Sequence, residues 1–149
     1  MMFMKKIIWL PVIVAAVLLA AWSKPLKEMM MPEKTVSKNI SFAVYKTNNY
    51  TSKVYDDASA KLQVSVVKTR GSKRSIVWQR SYDAKLLKEY PSLENAISQK
   101  LVINNVVDSK EQLEVVYTLT YNSKGSVMQL QDEAVISKGA KDGKLFINI

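Results

Sequence analysis

The chain has 149 residues, 48% of them hydrophobic and 23% charged, with a formal charge of +9. This composition belongs to one globular domain rather than to a disordered or fibrous chain. Cysteine and histidine are both missing, which excludes a thiolate nucleophile, a Ser-His-Asp triad, a Cys/His zinc site and any disulfide.

Met1–Lys6 is short and basic, and Ile7–Trp22 is uncharged and apolar, interrupted by Pro11. Ala21 and Ser23 supply small residues at the −3 and −1 positions of a cleavage site before Lys24. This is the tripartite pattern of a secretory signal, and the apolar run falls short of the roughly 20 residues that span a bilayer. The expectation is a signal peptide over 1–23 and a domain exported to the periplasm, the cell surface or the medium. An uncleaved segment would instead anchor the chain, with Lys5 and Lys6 on the cytoplasmic side. Lipoprotein anchoring is excluded because it needs a cysteine. Residues 24–38 read as a linker, with Pro25, Pro32, mixed charge and the Met29–Met31 run.

From Asn39 to Ile149 the dominant period is two. Ile40, Phe42 and Val44 alternate with polar or small residues, as do Leu62, Val64 and Val66. Ile76, Trp78, Arg80 and Tyr82 fall on one side of a strand. Leu113, Val115, Tyr117, Leu119 and Tyr121 keep strict i, i+2 spacing, the mark of a strand with one dry face. Leu101–Val107 is apolar on both faces, which suits a central strand. Met128–Ile136 and Leu145–Ile149 complete the set. Arg70-Gly71-Ser72-Lys73 and Ser123-Lys124-Gly125-Ser126 separate strand patterns as hairpin turns do.

One segment departs from this rhythm. Asp83 is placed to cap a helix starting at Ala84, with Leu86, Leu87 and Tyr90 at helical spacing, a break at Pro91, and Leu93, Ala96 and Ile97 beyond it. The expected fold is therefore all-β: an antiparallel β-sandwich of seven or eight strands with one short helical insertion over Ala84–Ser98. The alternative is an α+β open antiparallel sheet packed on that helix.

Two surfaces stand out as candidate ligand sites. Arg70, Lys73 and Arg74, with Lys68, crowd one hairpin, and no acid occurs between Asp57 and Asp83. Such a cluster suits phosphate, sulfate or uronate groups, although charged hairpin tips also serve simply to block edge pairing. On the next strand an exposed Trp78 would stack a sugar ring, with Arg80 as a polar clamp, whereas a buried Trp78 would be the sandwich's core tryptophan. The acid pairs Asp56-Asp57 and Asp132-Glu133 alternate across a strand or sit in a loop, so neither is preset for acid–base work. The regular spacing of a calcium loop is missing around Asp56. Asn39-Ile40-Ser41 and Asn49-Tyr50-Thr51 match the N-glycosylation sequon.

These features favour an exported, non-catalytic domain with no cofactor, which binds or scaffolds through an anionic glycan, a lipid headgroup or another protein. Nucleic acid is not among the expected partners, since no recognition helix or RNA-binding sheet motif is present. The second expectation is an assembly subunit that pairs through a strand edge, with Leu145–Ile149 as the candidate. A carboxylate-dependent hydrolase comes last.

Overall fold

The structure is a computed structural model in which residues 32–149 are described. The segment read as a leader, and the linker as far as Met31, lie outside the described residues.

Seven strands follow one another: β1 (Val36–Tyr45), β2 (Ser59–Arg70), β3 (Lys73–Leu86), β4 (Ile97–Val106), β5 (Glu111–Ser123), β6 (Ser126–Ile136) and β7 (Asp142–Asn148). They form a four-stranded sheet in the order β3-β2-β5-β6 and a three-stranded sheet in the order β4-β1-β7. The fold is the expected all-β sandwich. Every pairing is antiparallel except that of β1 with β7, which is parallel. A parallel pair cannot be closed by a tight hairpin, and here nearly the whole domain intervenes between the two strands.

The period-two pattern does what it predicts. Ile40, Phe42 and Val44 of β1, Leu62, Val64 and Val66 of β2, and Leu113, Val115 and Leu119 of β5 all point between the sheets and are essentially solvent-free. Burial of this kind contributes roughly 25 cal/mol per Å² of apolar surface, the main favourable term of a fold without disulfides. Both hairpin turns form where the glycines lie. Lys124 and Gly125 both take positive φ (50° and 79°) between the paired residues Ser123 and Ser126, a type I′ turn. Gly71 alone is positive (58°) in the turn between Arg70 and Lys73, as a type II′ turn requires.

Three features differ from the sequence reading. The helix expected over Ala84–Ser98 is absent. β3 runs on to Leu86, because Tyr82, Lys85 and Leu86 pair with Leu62, Ala60 and Ser59 of β2, and that ladder takes the place of intrahelical bonds. Only single 3₁₀ turns remain, at Leu87–Glu89 and Leu93–Asn95. The three-residue spacing of Leu87 and Tyr90 puts both into the core from one such turn. The Tyr90 hydroxyl donates to the Ala60 carbonyl at 2.8 Å, and the Lys46 amide donates to the Pro91 carbonyl.

Leu101–Val107 does not form a central strand. β4 is an edge strand paired only with β1, and Val102 on its outer face is exposed. Finally, β1 starts at Val36, three residues before the alternation becomes legible. Its Lys38 points inward and is buried, held by an ion pair with Asp108 and a bond to the Ser137 carbonyl (3.2 Å). A lysine at a core position breaks the apolar rhythm that identifies the strand.

Candidate functional site

The five residues singled out from sequence are carried by β2 and β3, and the fold distributes them over three places. The first is the hairpin end of the four-stranded sheet, where Arg74 is on the outer face. Arg74 reaches across it to Glu114 of β5 (2.7 Å) and Glu133 of β6 (3.4 Å). Val67, paired with Glu114 on this face, is buried although it points away from the sandwich core. Arg70 and Lys68, which the register places on the inner face at the end of the same hairpin, pair with Glu111 (3.8 and 3.4 Å). Glu111 is itself buried and accepts a bond from the Val107 amide. The acids that neutralise this hairpin come from β5 and β6, far along the chain, and so escape a reading of local charge. Lys73 is exposed at the turn.

The second place is the inner face of β3. Two bulges interrupt its pairing with β2, one at Val77 and one between Tyr82 and Lys85. Because Val77 is extra, Trp78 pairs with the inward Val66 while Ile76 pairs with the outward Val67. The four-residue face expected at Ile76, Trp78, Arg80 and Tyr82 is therefore split. Trp78 is half-buried and packs on Phe42 with ring centroids 5.9 Å apart. Ile76 is 60% exposed on the opposite side.

Arg80 occupies the third place, a seam where the edges of the two sheets meet. Its guanidinium donates to Gln99 of β4 (2.6 Å) and lies over the Tyr82 ring, 5.0 Å from the centroid. It thus ties one sheet to the other. Burial raises the Tyr82 phenol above its ordinary value, and the Arg80 charge opposes that rise. A cleft of about 240 Å³ opens here, with Val44, Leu62 and Ile97 as its floor and Arg80, Asp83 and Lys85 on its rim. It is smaller than the roughly 300–1,000 Å³ of ordinary ligand pockets, and its rim charges are of both signs. Among the described residues no group of three acidic side chains could hold a metal ion.

The sheet edges are protected to different degrees, and β7, like β6, has an uncharged stretch of unbroken register, Leu145–Asn148. β3 carries Lys73, Arg74, Arg80, Asp83 and Lys85 and two bulges, the usual protections against intermolecular pairing. β4 has Lys100 and an irregular register near Val36. β7 has Asp142 and Lys144, the latter over the Phe146 ring. β6 has none of these over Val127–Gln131, where its pairing with β5 is unbroken and no residue is charged.

The inner face of β6 is also uncovered there. Met128 and Leu130 share a face with the buried Leu119, yet they are 62% and 48% exposed. At the other end of β6, Ile136 is buried against Gly143 of β7. The three-stranded sheet thus covers one end of β6 and leaves the hairpin end bare. Val127, on the outer face, adds to the apolar surface. The sequence reading offers Leu145–Ile149 as the strand edge, and β7 is an edge strand paired only with β1, with Ile147 and Ile149 turned into the core and Phe146 exposed. Alternation alone cannot tell a covered dry face from an uncovered one. Comparison with protein-family models, with curated proteins and with solved structures finds no match to this chain.

Proposed function

We propose that this chain is an exported, non-catalytic β-sandwich that works by protein association, accepting a further strand along the edge of β6. The observation that carries this reading is the bare stretch Val127–Gln131: uncharged, without bulges, apolar on its inner face, and at the rim of a sheet whose opposite edge is heavily protected. Backbone groups on such an edge bind any extended segment, and alternate side chains give selectivity. The sequence-based preference for an anionic ligand at Arg70, Lys73 and Arg74 has less support, because Arg70 and Arg74 already hold carboxylates.

The test uses a labelled alternating Val-Thr decapeptide as a generic strand. Saturable binding that Val127→Lys or Leu130→Lys abolishes is the expected result. Absence of binding to the folded chain, at a dilution where it is monomeric, overturns the reading.

A further inference from the structure

Resting on the edge-pairing reading, we infer that the occupant of this edge is a second copy of the same chain, its β6 antiparallel to the first about a two-fold axis at Gln129. The register follows from the hairpin. Ser123 and Ser126 flank a two-residue turn and so form a hydrogen-bonded pair, after which bonded and non-bonded pairs alternate along β5 and β6. Within the bare stretch of β6 the residues whose N–H and C=O point away from β5 are therefore Val127, Gln129 and Gln131.

A two-fold axis at Gln129 sets Gln129 opposite its own copy and Val127 opposite Gln131 of the other chain. All the outward backbone groups of the bare stretch then find partners. On the inner face Met128 of each copy lies opposite Leu130 of the other, and the two pairs form one apolar cluster where each chain alone leaves them in water. Directly opposed apolar pairs of this kind each contribute to sheet stability.

Charge selects this register over its neighbour. Asp132 and Glu133 are the acids of β6, and Lys124 is the base at the hairpin tip. Centred on Gln129, the pairing brings Lys124 of each copy alongside the Asp132-Glu133 segment of the other. Centred on Gln131, it would set Asp132 diagonally against its own copy, like charge against like. Asp132 and Glu133 lie on the inner and outer faces, where they also accept a bond from Tyr117 (3.1 Å) and pair with Arg74 (3.4 Å).

The chain contains no cysteine, so single substitutions report the register directly. In the full chain, Gln129→Cys places two thiols on opposite residues about 5.5 Å apart between Cα atoms, within disulfide reach of roughly 4.4–6.8 Å. Mild oxidation should give a species of twice the monomer mass. Gln131→Cys, whose two copies are four residues out of register, should stay monomeric. Leu130→Lys added to Gln129→Cys should lose the cross-link while unfolding at a similar temperature. No cross-link at Gln129, or an equal one at Gln131, overturns the proposal. If the Val-Thr peptide still binds in that case, the edge accepts a foreign strand and only the second copy is excluded. If neither occurs, both readings fall.

Discussion

Ile76 and Trp78 are two residues apart on one strand and face opposite sides of the sheet, because the bulge adds Val77 between them while their partners Val67 and Val66 are adjacent on β2. Their substitutions should therefore differ. Trp78→Ala removes a ring packed on Phe42 and should cost about 2–3 kcal/mol, somewhat below the value for a fully buried aromatic. Ile76→Ala, on the exposed face, should change stability by no more than about 0.5 kcal/mol. Urea unfolding of the two variants makes the comparison, and equal losses would mean that the bulge is misplaced.

Tyr90 carries the largest phenol shift, pushed up to about 12 by burial, with a smaller contribution from the neighbouring Tyr121. The neutral form is favoured in the folded state. Its contribution is therefore complete below the ordinary value of 10.0 and is lost as pH rises from there through about 12. Phenolate absorbance should show one tyrosine titrating after the others, and Tyr90→Phe should delete that step. The same variant loses the bond to the Ala60 carbonyl, which should cost about 1–2 kcal/mol.

Asp108 behaves in the opposite sense. The hydrogen bond from Lys38 holds its carboxyl below the ordinary value of 3.8, aided by the Gly139 amide (2.6 Å) and by the charges of Lys38 and Lys138, against a smaller upward push from desolvation. That contribution is present above 3.8 and disappears as pH falls through the lowered value. Asp108→Asn should thus be less stable than the parent at neutral pH, leaving Lys38 buried without its counter-charge. The two unfolding midpoints should converge in strong acid. A gap that persists at low pH would show that the loss is one of packing rather than charge.

Gly143 lies where an added methyl would run into the terminal carbons of Ile136. Gly143→Ala should destabilise the junction of β7 with β6, and Ile136→Val, by shortening the obstructing side chain, should recover part of the loss. Simple addition of the two single effects would contradict the contact.

The Arg74 ion pairs lie on an open surface, so Arg74→Ala should cost no more than about 1 kcal/mol, with high salt narrowing the difference. Glu114→Gln with Glu133→Gln releases Arg74 and should lengthen retention on a sulfated-glycan column at low salt. Unchanged retention would mean that these carboxylates do not mask the hairpin.

Much of the fold was legible in the residues themselves. Leu113 to Tyr121 and Ile40 to Val44 alternate cleanly because each strand has one face in the core, and Lys124-Gly125 announces its turn. What stayed hidden was non-local. Asp83–Tyr90 has the spacing and cap of a helix, but the ladder from β2 outweighs a helix too short to stabilise itself. Lys38 looks like linker because its partner Asp108 is distant in sequence. The basic hairpin looked unpaired because Glu111, Glu114 and Glu133 arrive from other strands. The exposure of the apolar residues of β6 was not legible either, since whether a second layer reaches Met128 depends on the opposite sheet rather than on β6.

The side-by-side, same-direction course of β1 and β7 also sets how the domain would respond to load. Val36 and Ile149 lie at opposite ends of that pair, so tension applied between them would slide the two strands past one another lengthwise. The pairs from Asn39–Asp142 to Tyr45–Asn148 would then resist together instead of peeling apart in turn. A module linked at those two points would yield abruptly and at high force.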